Sequence, residues 1–200
     1  MNRNDVLIVC ALKQETQGQL TEGSINDWKV LYTGVGKVNA TLKLTQKFGK
    51  FGSHIPYDLV INYGTAGSRD LPIGELVDCT KFIQRDMDVT GLGFMKHQTP
   101  YESPNGMVIR CTSKFNPIGK HYTCGTGDSF VENTEDGDGN INVFDMEAYA
   151  LSKVCHHYDI NFISFKYITD NANEHSADDW TENCSAGIRL FKSQILSKIT

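Results

Sequence analysis

Apolar residues fall in short runs, separated by stretches whose apolar positions recur every three or four residues. Residues 6–11, 28–34 and 59–64 are rich in Val, Leu and Ile, and the last two runs close on Gly34 and Gly64. Such runs predict buried strands feeding turns. Further strands are predicted at 76–84, 107–112, 122–125 and 162–169. Helical spacing fills the gaps. A helix over 37–48 follows the turn Gly34-Val35-Gly36, and one over 146–158 sets Met146, Tyr149, Ala150, Val154 and Tyr158 on one face. Ile188, Phe191, Ile195 and Ile199 form a last stripe at helical spacing. Ser176 with Asp179 three residues on predicts a capped helix start. Strands alternating with helices predict an α/β fold that gathers ligands at its C-terminal strand ends.

Composition narrows the picture. The 200 residues suit a single domain spanning 1–200, and 40% hydrophobic residues supply a core. Charged residues at 22% argue against disorder. Nineteen Lys and Arg against 24 Asp and Glu leave a net charge of −5, a poor match to nucleic acid. No apolar run approaches the roughly 18 residues of a membrane span, and the first run carries no cleavage signature. The expectation is a cytoplasmic protein that engages neither nucleic acid nor membrane. The six cysteines form no CxxC pair. Cys155, His156 and His157 are adjacent and point apart around a helix, so neither a disulfide framework nor a metal site is expected.

Three glycine turns stand out: Thr33-Gly34-Val35-Gly36-Lys37, Asn62-Tyr63-Gly64-Thr65-Ala66-Gly67 and Gly125-Thr126-Gly127-Asp128. None matches a phosphate- or dinucleotide-binding loop, and each alone says only that the chain turns tightly. The acidic, glycine-rich stretch 132–142 reads as a surface loop. Within it Asp136, Asp138, Asn140 and Asn142, with Glu147 beyond, mimic calcium-loop spacing, but Ile141 stands where the sharp turn needs glycine. A solvated turn is the better reading.

The carboxylates carry more. Glu15 follows the first run, Asp145-Met146-Glu147 opens a predicted helix, and Asp170 closes the run 162–169. Each alone is ordinary for a cap or a surface charge. Strand ends and helix starts meet on one face of an α/β sheet, however, so these acids can share a cleft.

The blocks Ala11-Leu12-Lys13-Gln14-Glu15, Thr33-Gly34-Val35-Gly36-Lys37-Val38-Asn39-Ala40, Ile61-Asn62-Tyr63-Gly64-Thr65-Ala66-Gly67, Asp86-Met87-Asp88-Val89-Thr90, Thr126-Gly127-Asp128-Ser129-Phe130, Asp145-Met146-Glu147-Ala148 and Ile168-Thr169-Asp170 occur in that order. Together they resemble the nucleoside phosphorylase/nucleosidase superfamily, and most of all the methylthioadenosine/S-adenosylhomocysteine nucleosidases. The resemblance implies a mixed central β-sheet flanked by helices, here trimmed, because 101–124 and 132–143 are short for the helices usual there. It implies a homodimer that hydrolyses the N-glycosidic bond of a small-molecule purine nucleoside, without cofactor or metal. Asp170 then corresponds to the acid that protonates the purine at N7, a task that requires a raised pKa. Glu15 corresponds to the water-activating carboxylate and Glu147 to the holder of the ribose hydroxyls.

Binding roles carry over in the same way. Phe130 stacks on the base, the Val131 backbone reads its amino edge, Ala66 and Gly67 line the purine pocket, and Thr65 lies near the water. Leu12, Val35, Val89, Leu92, Met146 and Trp180 match an apolar pocket for the 5′ substituent, with Leu92 acting across a dimer interface. Asp145, Lys166, Thr169 and Trp180 stand where the family commonly has Glu, Arg, Ser and Phe, and Thr65 also replaces Ser. Two alternatives remain: a phosphate-dependent phosphorylase and a non-catalytic nucleoside binder. A phosphorylase needs cations beside the sugar, yet none of the arginines Arg3, Arg69, Arg85, Arg110 and Arg189 enters the Gly34 turn. Glu15 would in addition repel phosphate. A pure binder needs no acid and base together.

Overall fold

Every residue of the first strand, β1 (Val6–Cys10), is buried, because the strand lies inside a sheet covered on both faces. Leu7 and Val9 join a core with Ala40, Leu44 and Phe48 of helix α1 (Lys37–Gly49). Val6, Ile8 and Cys10 join another with Ile188 and Phe191 of the last helix. Side chains alternate between the faces of a strand, so two covered faces require an unbroken apolar run. The computed structural model describes residues 2–20, 28–52, 54–102, 107–111, 113–132 and 140–199.

After β1 and before α1 comes β2 (Lys29–Tyr32); β3 (Leu59–Gly67), β4 (Leu76–Gln84), β5 (Val108–Arg110), β6 (Tyr122–Thr126) and β7 (Val143–Asp145) follow. Then come α2 (Ala148–His157), β8 (Asn161–Asp170), α3 (Ser176–Asn183) and α4 (Ile188–Gln194). Strands β2, β1 and β3 run parallel, and β8 runs parallel to β3 on its other side. The sheet then curls round on itself. β8 pairs antiparallel with β4, β4 parallel with β6, β6 parallel with β7, and β7 returns to β3 through Gly67 opposite Phe144. β5 adds an antiparallel edge to β4. This is the mixed sheet with flanking helices that the sequence implied. Closing it brings strand ends distant in sequence around one opening.

Several boundaries move for identifiable reasons. β3 continues past Gly64 to Gly67 because β8 keeps pairing with it there. The second helix begins at Ala148 rather than Met146: Asp145 Oδ2 accepts the amides of Glu147 (3.3 Å) and Ala148 (2.8 Å), which holds the preceding turn open. Ser176 does not cap its helix; its hydroxyl accepts the Asn173 amide at 2.8 Å, and His175 precedes the first turn. The last apolar stripe divides between α4 and a 3-10 turn at Leu196–Lys198. The strand expected over 107–112 contracts to β5, and among the described residues no helix occupies 107–124. Asp136 and Asp138 of the calcium-like loop lie outside the described residues. The six cysteines are free thiols.

Candidate active site

Glu15 sits in a 3-10 turn just past β1 and is buried, but each of its oxygens meets a donor. The Leu12 amide donates to Oε2 at 2.9 Å. The Thr65 amide and hydroxyl donate to Oε1 at 2.8 and 3.0 Å. Glycine at 64 permits this approach. A Cβ there would stand 3.0 Å from Glu15 Oε1 and 3.3 Å from Lys166 Nζ, tighter than ordinary packing. Asp170 ends β8, also buried, with Thr169 Oγ1 donating to Oδ2 at 2.9 Å and the Ala172 amide to Oδ1 at 3.0 Å.

A buried charge cluster accompanies these two acids. Lys166 Nζ meets Asp145 Oδ2 at 2.8 Å, and Thr126 Oγ1 donates to Asp145 Oδ1. Burial opposes the charge on Asp145, but Lys166 and these donors outweigh it and hold the carboxyl below its ordinary range. Burial likewise opposes the Lys166 cation, which Asp145 and Glu147 hold above its ordinary range. Glu147 has a poorer share. The Gly36 amide donates to its Oε1 at 2.8 Å, yet burial first and Asp145 second push its pKa up to about 8.

One cavity of about 240 Å³ joins these groups. Its wall includes Leu12, Glu15, Val35, Thr65, Ala66, Gly67, Phe130, Val131, Asp145, Met146, Glu147, Asp170 and Trp180, all singled out by sequence. Ala11 and Phe144 complete it. Ala11 lies within a recognised block, whereas Phe144 sits in β7, a strand too short to leave a periodic signal. Lys166 and Thr169 stand apart from the wall and contact its acids instead. Val89 and Leu92 are not brought to the cavity; they flank and enter a 3-10 turn at Thr90–Leu92, where Leu92 is 75% exposed.

A lock beside the opening went unread in the sequence. Lys37 Nζ meets the Asp86 carboxylate at 2.6 and 2.7 Å. Asp128 Oδ1 accepts the Lys37 amide at 2.8 Å, while the Asp128 amide donates to Asp86 Oδ2 at 2.9 Å. The lock ties the turn bearing Val35 and Gly36 to the segment leading to Phe130. A Cβ at Gly36 would stand 3.1 Å from Asp128 Oδ1, and the positive φ of 93° there independently favours glycine. Among the described residues no group of three or more His, Cys, Asp and Glu side chains could hold a metal ion. Among them, too, no helix is long and apolar enough to cross a membrane.

This closed mixed sheet, with acids gathered at its strand ends, has known counterparts. Residues 12–193 match the phosphorylase superfamily, and the chain belongs to that family. A 5′-methylthioadenosine/S-adenosylhomocysteine nucleosidase from an Exiguobacterium species is 30% identical over an alignment 186 positions long, and the match covers 82% of this chain and 78% of that protein. A nucleosidase of the same name from Shewanella piezotolerans is 29% identical over 184 residues, with the same coverage. Among solved structures, a mutant of the Helicobacter pylori nucleosidase with 5′-methylthioadenosine in its active site superposes with a TM-score of 0.83 at 21% identity, covering 98% of this chain and 99% of that one. Futalosine hydrolase of the same organism gives 0.80 at 20% identity, with 97% of each chain covered. These two structures share the fold.

Proposed function

We propose that this protein hydrolyses the N-glycosidic bond of 5′-methylthioadenosine or S-adenosylhomocysteine and releases adenine. The observation that carries the reading is the meeting of Glu15, Glu147 and Asp170 on one cavity whose described wall contains no Lys or Arg. The names of the curated relatives support the same substrates.

The chemistry follows from where the charges develop. As the C1′–N9 bond breaks, its electron pair moves into the purine, and Asp170 delivers a proton to N7. The sugar becomes cationic at C1′, which buried carboxylates favour. Glu147, held at Oε1 by the Gly36 amide, offers Oε2 to the ribose hydroxyls. Water forms the new O–C1′ bond and loses a proton to Glu15, which returns it through solvent so that Asp170 is reprotonated. The net change adds one water across the glycosidic bond. An acid and a base of this kind each contribute about 10²- to 10⁴-fold. Phe130 is 41% exposed at the rim, placed to stack on the base, while the Val131 backbone reads its amino edge. Ala66 and Gly67 floor the purine pocket; Leu12, Val35, Met146 and Trp180 surround a 5′ thioether, with no cation among the described wall residues to draw an anionic 5′ group.

The test is a panel of nucleosides incubated with and without phosphate, with the released bases separated by chromatography. Adenine release without phosphate is expected. Strict dependence on phosphate would overturn hydrolysis, and binding without release from any nucleoside would make the protein a binder. Asp170→Asn is expected to abolish release while retaining substrate binding.

The same reading covers assembly and location. Residues 1–200 act as a single domain, and two copies form a homodimer in the cytoplasm, with Leu92 reaching across the interface. The exposed side chain of Leu92 supports the dimer, and six free cysteines support a reducing compartment. Sedimentation of the wild type and of Leu92→Asp tests the assembly.

A further inference from the structure

We infer that Trp180 is a positioning residue for Glu15: its indole N–H commits the Thr65 hydroxyl hydrogen to one carboxylate oxygen and leaves the other open to the attacking water. The inference rests on the role proposed above for Glu15.

Trp180 stands on α3 and forms part of the cavity wall. Its Nε1 lies 2.9 Å from Thr65 Oγ1. That same Oγ1 lies 3.0 Å from Glu15 Oε1. An indole nitrogen only donates, so the hydroxyl must accept from it. A hydroxyl has a single hydrogen, and with the indole on its acceptor side that hydrogen goes to the carboxylate. The direction of the chain is therefore set as indole to hydroxyl to carboxylate. Among the described residues, Oε1 receives two donors from Thr65, whereas Oε2 receives only the Leu12 amide. With about two lone pairs on each carboxylate oxygen, Oε1 is saturated and Oε2 keeps one site for water.

An aromatic wall at this position needs no N–H, since a phenyl ring fills the space. The indole contributes a second effect that phenyl lacks. Helix α3 itself links the two acids of the reaction, because Asn183 at its end donates to the Thr169 carbonyl at 3.1 Å, and Thr169 precedes Asp170. A shift of α3 would therefore disturb Glu15 through Thr65 and Asp170 through its own strand.

Two measurements test the relay. In steady-state kinetics with 5′-methylthioadenosine, Trp180→Phe keeps the wall and lowers kcat about tenfold, the effect of a hydrogen bond lost near a charged group, while KM stays within about twofold. Thr65→Val also lowers kcat, and Trp180→Phe adds nothing further in the double variant, because the indole acts only through that hydroxyl. Multiplying losses would overturn the relay. The second measurement needs no turnover. The chain has two tryptophans, so a ¹H–¹⁵N spectrum shows two indole resonances, and Trp180→Phe identifies the one it removes. That resonance is expected to shift from its wild-type position in both Thr65→Val and Glu15→Gln. A resonance indifferent to both substitutions would overturn the relay even where kcat responds. If the resonance follows Glu15 while the wild type releases no base from any nucleoside, the proposed reaction fails and the relay stands.

Discussion

A Cβ on Gly67 would stand 2.5 Å from Asp170 Oδ1 and 3.2 Å from its carboxyl carbon. Strand β3 thus admits the Asp170 carboxylate only because residue 67 has no side chain. Gly67→Ala is expected to push the carboxylate aside and lower kcat about 10²-fold, the scale of an ångström of misplacement in a catalytic group. Steady-state kinetics checks this, and a circular-dichroism melt should show a smaller proportional loss of fold.

Lys166 and Asp145 form an ion pair with both side chains 1% exposed. Removing the cation leaves a buried anion unpaired. Lys166→Met is expected to cost about 3–5 kcal/mol in denaturant unfolding. Adding Asp145→Asn should recover much of that loss, because the uncompensated charge is gone. A double variant no better than the single would show that the lysine acts by packing instead.

Glu147 sets a pH dependence of stability. Its folded pKa of about 8 exceeds the ordinary carboxyl value of 4.5, so between these values the folded state holds the proton more tightly than the unfolded state. The stability contributed by the protonated form is therefore complete below about pH 4.5 and is lost progressively as pH rises to about 8. Glu147→Gln cannot lose that proton. Its melting temperature, measured against wild type from pH 5 to pH 8.5, should gain steadily on it and then level off.

The Lys37 lock predicts an effect on binding more than on folding. The lysine and Asp86 side chains are 16% and 29% exposed, so Lys37→Met should cost only about 1 kcal/mol of stability. The turn that presents Val35 and the Gly36 amide to the cavity would be loosened, and KM should rise about threefold. Kinetics alongside unfolding separates the two, and a large stability loss with unchanged KM would contradict the assignment.

The sequence by itself determined the order of the strands other than β7 and of the helices, the acids at their ends, and the family blocks around them. These are local signals: a strand buried on both faces must be continuously apolar, as β1 is, and a helix start tolerates the acids of Asp145-Met146-Glu147. Only the tertiary structure decided how the groups are paired. Gly36 meets Glu147 across 111 positions of chain, and Trp180 meets Thr65 across 115. No periodic pattern encodes contacts of that separation, and the curled sheet makes them. For the same reason Leu92, apolar and within reach of a recognised block, stands exposed outside the wall, while Phe144 on the short strand β7 is carried into it. Hydrophobicity tells a residue to leave water, and the closure of the sheet decides which surface receives it.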